Sequence, residues 1–271
     1  MKNLYSPPSK IVTKIVWISI LVLGLSDFSA AQTISATCSG ASQITVGNCT
    51  TNQNVSDATV NDPNASGCIT SPTRDGWFYF VATSARTQVD FFNNSNRDAG
   101  IIVYSGSCGS LTAIGCVNAT GSSGDELLIV NTSVGSTYRI RILRISGTTT
   151  NLNGSVCVNE LPSITSFSPS PVCTGGTITI TGSGFTGTTA VTVNGTAVTS
   201  FNVVSGTSIT AVVAAGTTTG TINVTNGTGS GTSASSLTVN STPVATATPS
   251  TQTLCGSGST SVALSSSVGG T

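Results

Sequence analysis

Gly182, Gly184 and Gly187 stand at G-x-G-x-x-G spacing within ITITGSGFTGTTAVTVNG (178–195), directly after a strand-like run. That spacing marks dinucleotide-binding turns, where a helix N-terminus offers its N–H groups to a pyrophosphate. The chemistry also needs an acid about twenty residues on to hold the ribose. Here Thr188, Thr189, Ala190, Val191, Thr192 and Val193 follow the third glycine, β-branched and alternating rather than helical. The ribose position falls on Val203, Val204, Ser205, Gly206 and Thr207, with no acid among them. The glycines therefore read as a turn between two strands of a sandwich, and no cofactor is expected.

Acid–base chemistry is equally constrained. The chain has no His, and Lys occurs only at Lys2, Lys10 and Lys14. A serine nucleophile needs a base within hydrogen-bond reach, and neither a suitable base nor a G-x-S-x-G elbow is present. The carboxylates that remain for paired-acid catalysis or cation binding are Asp57, Asp62, Asp75, Asp90, Asp98, Asp125 and Glu126. Calcium takes six to eight oxygen ligands, with carboxylates prominent, but these acids follow no recognised ligand spacing and read as solvated loop acids. From Leu161 to Thr271 there is not one charged side chain. Nucleic acid binding, which rests on Lys and Arg displacing counterions, is excluded for that half, which also lacks, apart from Cys173 and Cys255, the titratable groups that general acid–base catalysis needs.

The N-terminus has the layout of an export signal. Three Lys precede IVWISILVLG (15–24), a ten-residue apolar core, and Ser29, Ala30 and Ala31 supply small residues at a cleavage site before Gln32. Spanning a bilayer takes about twenty apolar residues, so no membrane span is expected after cleavage. Beyond Ala31 the chain keeps Arg74, Arg86, Arg97, Arg139, Arg141 and Arg144 against eight acids, a net charge of −2.

Eight cysteines in an exported chain without His read as disulfides rather than zinc ligands. Six of them, Cys38, Cys49, Cys68, Cys108, Cys116 and Cys157, fall within one stretch. Spacing favours Cys108 with Cys116 across a short turn. Cys38 and Cys157, on the first and last strands, come next, and Cys49 with Cys68 follows by elimination. Cys173 and Cys255 are left over, their pairing open.

These residues are carried by short β-branched runs between Gly, Asn, Ser and Pro clusters, with no helical periodicity, which is the pattern of an all-β sandwich. WFYFVA (77–82) and QVDFF (88–92) read as one hairpin, GIIVYSG (100–106) and LTAIGCV (111–117) as a second, and ELLIVNT (126–132) with YRIRILRI (138–145) as a third pair; GSVCV (154–158) closes the set. In YRIRILRI, Arg139 and Arg141 fall on the stripe expected to face outward. Trp77 and Tyr79 share one strand face, Phe78 and Phe80 the other, so this strand is expected to be buried on both sides and Trp77 to be core rather than a glycan platform. Further on, TITIT, AVTVN, SFNVV, SITAVV and TINVT alternate between Gly-bearing turns, and Asn194-Gly195 is a strong hairpin signal.

Two resemblances follow. Asp75, Trp77, Phe78 and Phe80, then Asp98, Ile101, Val103, Tyr104, Ser105, Gly106, Cys108, Gly109, Leu111 and Cys116, resemble the pre-peptidase C-terminal-type β-sandwich repeated in secreted proteins of Bacteroidetes. Relatives often follow the second Cys with acids in a plausible cation turn, whereas this chain has Val117-Asn118-Ala119. Pro162, Ile164, Phe167, Pro169, Gly176, Ile178, Ile180, Gly182, Gly184 and Phe185 resemble the immunoglobulin-like IPT/TIG domain. So do Val191, Val193, Asn194, Gly195, Ile209, Ala211, Val213, Gly220, Ile222, Val224, Ser233 and Val239. The expected organisation is a signal peptide (1–31), a jelly-roll-like sandwich (32–160), an IPT/TIG sandwich (161–240), and a linker with an incomplete Ig- or PKD-like module (241–271). The resemblance implies a non-catalytic, secreted or cell-surface protein with a structural, adhesion or ligand-binding role toward an unknown protein or glycan. The alternatives are the accessory region of a secreted hydrolase, or a carbohydrate-binding module.

Overall fold

The computed structural model describes residues 34–55, 68–69, 72–122, 124–145 and 152–240, with strand backbone at 245–248 and 263–266. The signal-like stretch, Asp57, Asp62 and Cys255 lie outside the described residues. The protein is all-β. Its first half holds β1 (Ser42–Gln43), β2 (Asn48–Cys49), β3 (Gln53–Asn54), β4 (Arg74–Val81), β5 (Arg86–Asn93), β6 (Ala99–Ser107), β7 (Ser110–Val117), β8 (Glu126–Asn131), β9 (Thr137–Arg144) and β10 (Asn153–Leu161). Two sheets form, in the orders β1-β4-β9-β6-β7 (sheet I) and β2-β10-β5-β8 (sheet II), with β3 also on β10.

Period-2 alternation explains the core between them. Phe78, Phe80, Ile101, Val103, Ile140 and Ile142 point inward from sheet I and meet Val89, Phe91, Leu128, Val130, Val156 and Val158 from sheet II. The outer face of sheet I carries a second, smaller core of Cys38, Ile69, Trp77, Ile102, Tyr104 and Leu143. Trp77 is buried there against Tyr104, ring centroids 5.6 Å apart. Burying an indole of this size contributes roughly 4–6 kcal/mol of gross transfer free energy.

Two expected hairpins are corrected. β4 and β5 lie in different sheets, β4 pairing with β9 and β5 with β10 and β8. β8 and β9 are likewise split between the sheets. The links are short, but packed sheets stand only about 10 Å apart, so a few residues reach the opposite sheet as easily as they reverse within one. The β6–β7 hairpin forms as read, with Ser107 opposite Ser110.

That hairpin also decides the disulfides. The bonds among the described residues are Cys38–Cys108, Cys49–Cys157 and Cys68–Cys116, so none of the three expected pairings forms. Cys108 sits at the hairpin tip, whereas Cys116 lies opposite Ile102 near its base. At about 3.3 Å per residue, zipping the hairpin carries the two sulfurs far beyond the roughly 7 Å Cα limit of a disulfide. Cys38 packs on the outer face of sheet I, while Cys157 belongs to sheet II and lies directly opposite Cys49.

The second half holds β11 (Ser163–Ser168), β12 (Val172–Cys173), β13 (Thr177–Ser183), β14 (Thr188–Val193), β15 (Thr196–Ala197), β16 (Ser200–Ser205), β17 (Ser208–Val212), β18 (Gly220–Asn226), β19 (Ser230–Leu237) and β20 (Val239–Asn240). Sheets β11-β13-β17-β16 and β15-β14-β18-β19 enclose Ile178, Ile180, Phe185, Val191, Val193, Ile209, Ile222 and Val224. Asn194 (φ +48°) and Gly195 (φ +80°) turn β14 into β15, the positive φ pair that a type I′ hairpin requires. Strands β21 (Ala245–Thr248) and β22 (Ala263–Ser266) pair antiparallel. Cys173 is exposed and unbonded among the described residues.

Candidate functional site

The carboxylates separate into three settings. Asp75 is fully buried on β4 and accepts from Arg141 Nε at 2.7 Å, with Arg141 Nη2 at 2.6 Å. Trp77 Nε1 donates to the same oxygen at 3.2 Å, and the Arg141 guanidinium lies 4.9 Å from the Trp77 ring centroid. Arg141 is therefore not the solvent-facing residue its strand pattern implied. Its stripe faces the small outer core, where Asp75 neutralises it and the indole covers it. With both ions sealed from solvent, the trio is a structural element rather than a reactive one.

Asp98, Asp125 and Glu126 gather at one end of the sandwich. Glu126 accepts from the Ala119 and Thr120 N–H groups at 3.0 and 2.9 Å and from the Thr120 hydroxyl at 2.6 Å. Asp125 accepts from the Asn93 N–H at 2.7 Å. These two acids tie turns together. Burial, and secondarily the nearby Glu126 charge, raise the Asp98 carboxyl above its ordinary value. Among the described residues no cluster of three or more metal-ligating side chains is assembled.

Asp90 occupies the third setting, the outer face of sheet II. Gln88, Asp90 and Phe92 alternate outward on β5 because Val89 and Phe91 point to the core. Cross-strand register puts Cys157 of β10 beside Asp90 and Leu127 of β8 on its other side; Asn159 and Ile129 flank Gln88, and Ser155 lies opposite Phe92. The Gln88 amide donates to both Asp90 oxygens at 2.9 Å, and Asn159 Nδ2 donates to one at 3.3 Å. Asp90 is only 6% exposed, whereas Phe92, Leu127 and Ile129 are 45%, 53% and 44% exposed. A fixed carboxylate and two amides thus lie at the centre of a sheet face with apolar groups beside them. The Cys49–Cys157 bond pins the β2 side of this face.

Composition could not single out this face. The alternation Gln88-Asp90-Phe92 against Val89-Phe91 is legible in QVDFF, but the LLIV run (127–130) of β8 is continuously apolar and does not show which half points outward. Only its pairing with β5 assigns Leu127 and Ile129 to the exposed side. Tyr79, on the opposite sheet, is engaged by Arg139 at 4.9 Å and by Gln43 at 3.3 Å.

Residues 162–243 match the family model of the IPT/TIG domain. No curated protein matches the chain. Among solved structures the chain is similar to the Bacteroides ovatus mixed-linkage glucan utilization locus (MLGUL) SGBP-B in complex with mixed-linkage heptasaccharide. Identity is 15%, coverage 68% of this chain and 46% of that chain, and the TM-score 0.26. The chain thus spans about half of that structure's length, a likeness too loose to define a shared fold.

Proposed function

We propose that this is a non-catalytic binding protein of the cell surface or the extracellular space, and that the outer face of sheet II is its contact surface. The observation that carries the proposal is the Gln88–Asp90–Asn159 cluster, held rigid beside exposed Phe92, Leu127 and Ile129. Three disulfides fit an oxidising compartment, and the buried Asp75–Arg141 pair and the turn-bound Asp125 and Glu126 leave few acids for chemistry. The expected resemblance of the first sandwich to the pre-peptidase C-terminal type, with its secreted Bacteroidetes setting, belongs to this reading.

The ligand class this face fits best is a neutral glycan. A pyranose presents apolar C–H groups that stack on an aromatic ring and hydroxyls that donate to carboxylates and exchange hydrogen bonds with amides. Phe92 supplies the ring; Asp90, Gln88 and Asn159 supply the polar groups. The test is a glycan array probed with oxidised protein spanning residues 32–271, beside its Phe92→Ala and Asp90→Asn variants. Binding that falls at least tenfold in both variants, about 1.4 kcal/mol, is the expected result. Binding untouched by either substitution, or no binding to any glycan, overturns the assignment of this face.

A further inference from the structure

Two of the three glycines in the G-x-G-x-x-G spacing do more than shape a strand turn. β10 ends at Leu161 and β11 begins at Ser163, so Pro162 alone separates the last strand of one sandwich from the first of the next. The second sandwich closes around this segment. A Cβ on Gly182 would stand 2.0 Å from the Ser163 carbonyl oxygen, one on Gly184 2.3 Å from that of Leu161, and one on Gly231 2.0 Å from that of Pro162. Each distance is far inside van der Waals contact, and the atom met is backbone, which cannot swing aside. Gly184 also holds φ +71°. Three glycines of one sandwich thus each admit one carbonyl of three consecutive joint residues.

Polar groups complete the closure. Asn226 is 6% exposed, and all its amide valences in the joint are used. Its Nδ2 donates to the Glu160 carbonyl at 3.0 Å and the Gly184 carbonyl at 3.2 Å, while its Oδ1 accepts from the Thr228 and Gly229 N–H groups at 2.9 and 3.0 Å. The buried Ser183 hydroxyl accepts from the Ala85 N–H at 2.9 Å, and Arg86 Nη1 donates to the Ser230 carbonyl at 3.3 Å. Leu161 is buried at the centre, against the backbone of Gly229. Most of these partners are backbone groups, so the contact is directional and carries no ion pair.

We infer that Gly182, Gly184, Gly231 and Asn226 form a socket for residues 160–163, an intramolecular interface that fuses the two sandwiches into one rigid body. In this chain the first two glycines of the motif are the sequence mark of that socket. Gly187 stands apart: its φ is +67°, and a Cβ there meets nothing within 4 Å. It serves the local turn and not the joint.

The test is ¹⁵N relaxation on residues 32–271, which reads the rotational correlation time of each sandwich separately. The unaltered protein is expected to show one shared correlation time. Gly231→Val, and independently a flexible four-residue insertion between Leu161 and Pro162, are expected to split it into two shorter values while both sandwiches keep their dispersed amide spectra. Gly187→Ala is expected to lower stability and leave the shared value intact. The insertion variant has an unaltered socket lining, so it answers even if Gly231→Val unfolds the second sandwich. Separate correlation times in the unaltered protein, or a shared one that survives the insertion, overturn the inference.

Discussion

Asp75 and Arg141 place opposite charges where neither reaches water, and such a pair is asymmetric in its energetics. Desolvation offsets much of the Coulomb attraction, so the intact pair adds little net stability. Removing one partner leaves the other charge buried and unanswered. Asp75→Asn is therefore expected to cost about 3–5 kcal/mol, measured as a loss of unfolding free energy in guanidinium chloride. The paired replacement Asp75→Leu with Arg141→Met is expected to recover most of that loss. A double variant as unstable as the single one would mean that the pair contributes something an apolar substitute cannot. Trp77 connects this site to packing, because its ring lies against the guanidinium and its N–H donates to the same carboxylate oxygen as Arg141.

At the scale of strands, the disulfides show what pairing register does to spacing arguments. Cys38–Cys108 ties the N-terminal segment to the tip of the β6–β7 hairpin, and Cys68–Cys116 ties residue 68 to the base of β7. Both clasp cover onto the small core around Trp77. Their loops close 70 and 48 residues, and that of Cys49–Cys157 closes 108, so each contributes roughly 4–5 kcal/mol in the chain-entropy model. Non-reducing peptide mapping is expected to recover these three links, and a Cys108–Cys116 peptide would refute the arrangement. Alternation made much of the fold legible: the inward stripes of β13, β14 and β17, the Asn194-Gly195 turn, and burial of β4 on both faces. It could not show whether a short link reverses within a sheet or crosses to the other, which is why the pattern pairs β5 with β4 and β8 with β9 although each pair is split between the sheets. Nor could it choose between two apolar stripes in YRIRILRI, where Ile142 and Leu143 are both buried and Arg141 follows Leu143 into the small outer core. The candidate face inherits both ambiguities, since it exists only once β5, β8 and β10 are neighbours.

Across the whole molecule, charge is confined to one side of the joint. Every acidic and basic side chain beyond the signal-like stretch precedes Leu161, so titration of side-chain carboxylates acts on the first sandwich alone. Asp98 contributes to this dependence in one direction. Its raised value means that the folded state holds its proton more tightly than the unfolded chain, so its contribution to stability falls as pH rises from 3.8 through the folded value. Asp98→Asn is expected to melt higher than the unaltered protein at pH 7, with the gap closing as pH approaches 3.8. Arg144, lowered by burial and then by Arg74 and Arg97, stays charged throughout this range and adds no slope. A socket that fuses the sandwiches must transmit this effect to a half that contains no titrating carboxylate of its own. Calorimetry of residues 32–271 is then expected to show one transition whose midpoint moves with pH. With the insertion between Leu161 and Pro162, two transitions are expected: one that keeps the pH dependence, and one, from the second sandwich, that is flat from pH 4 to 8. A flat second transition already present in the unaltered protein would show that the halves melt independently and that the contact at the joint carries no cooperativity.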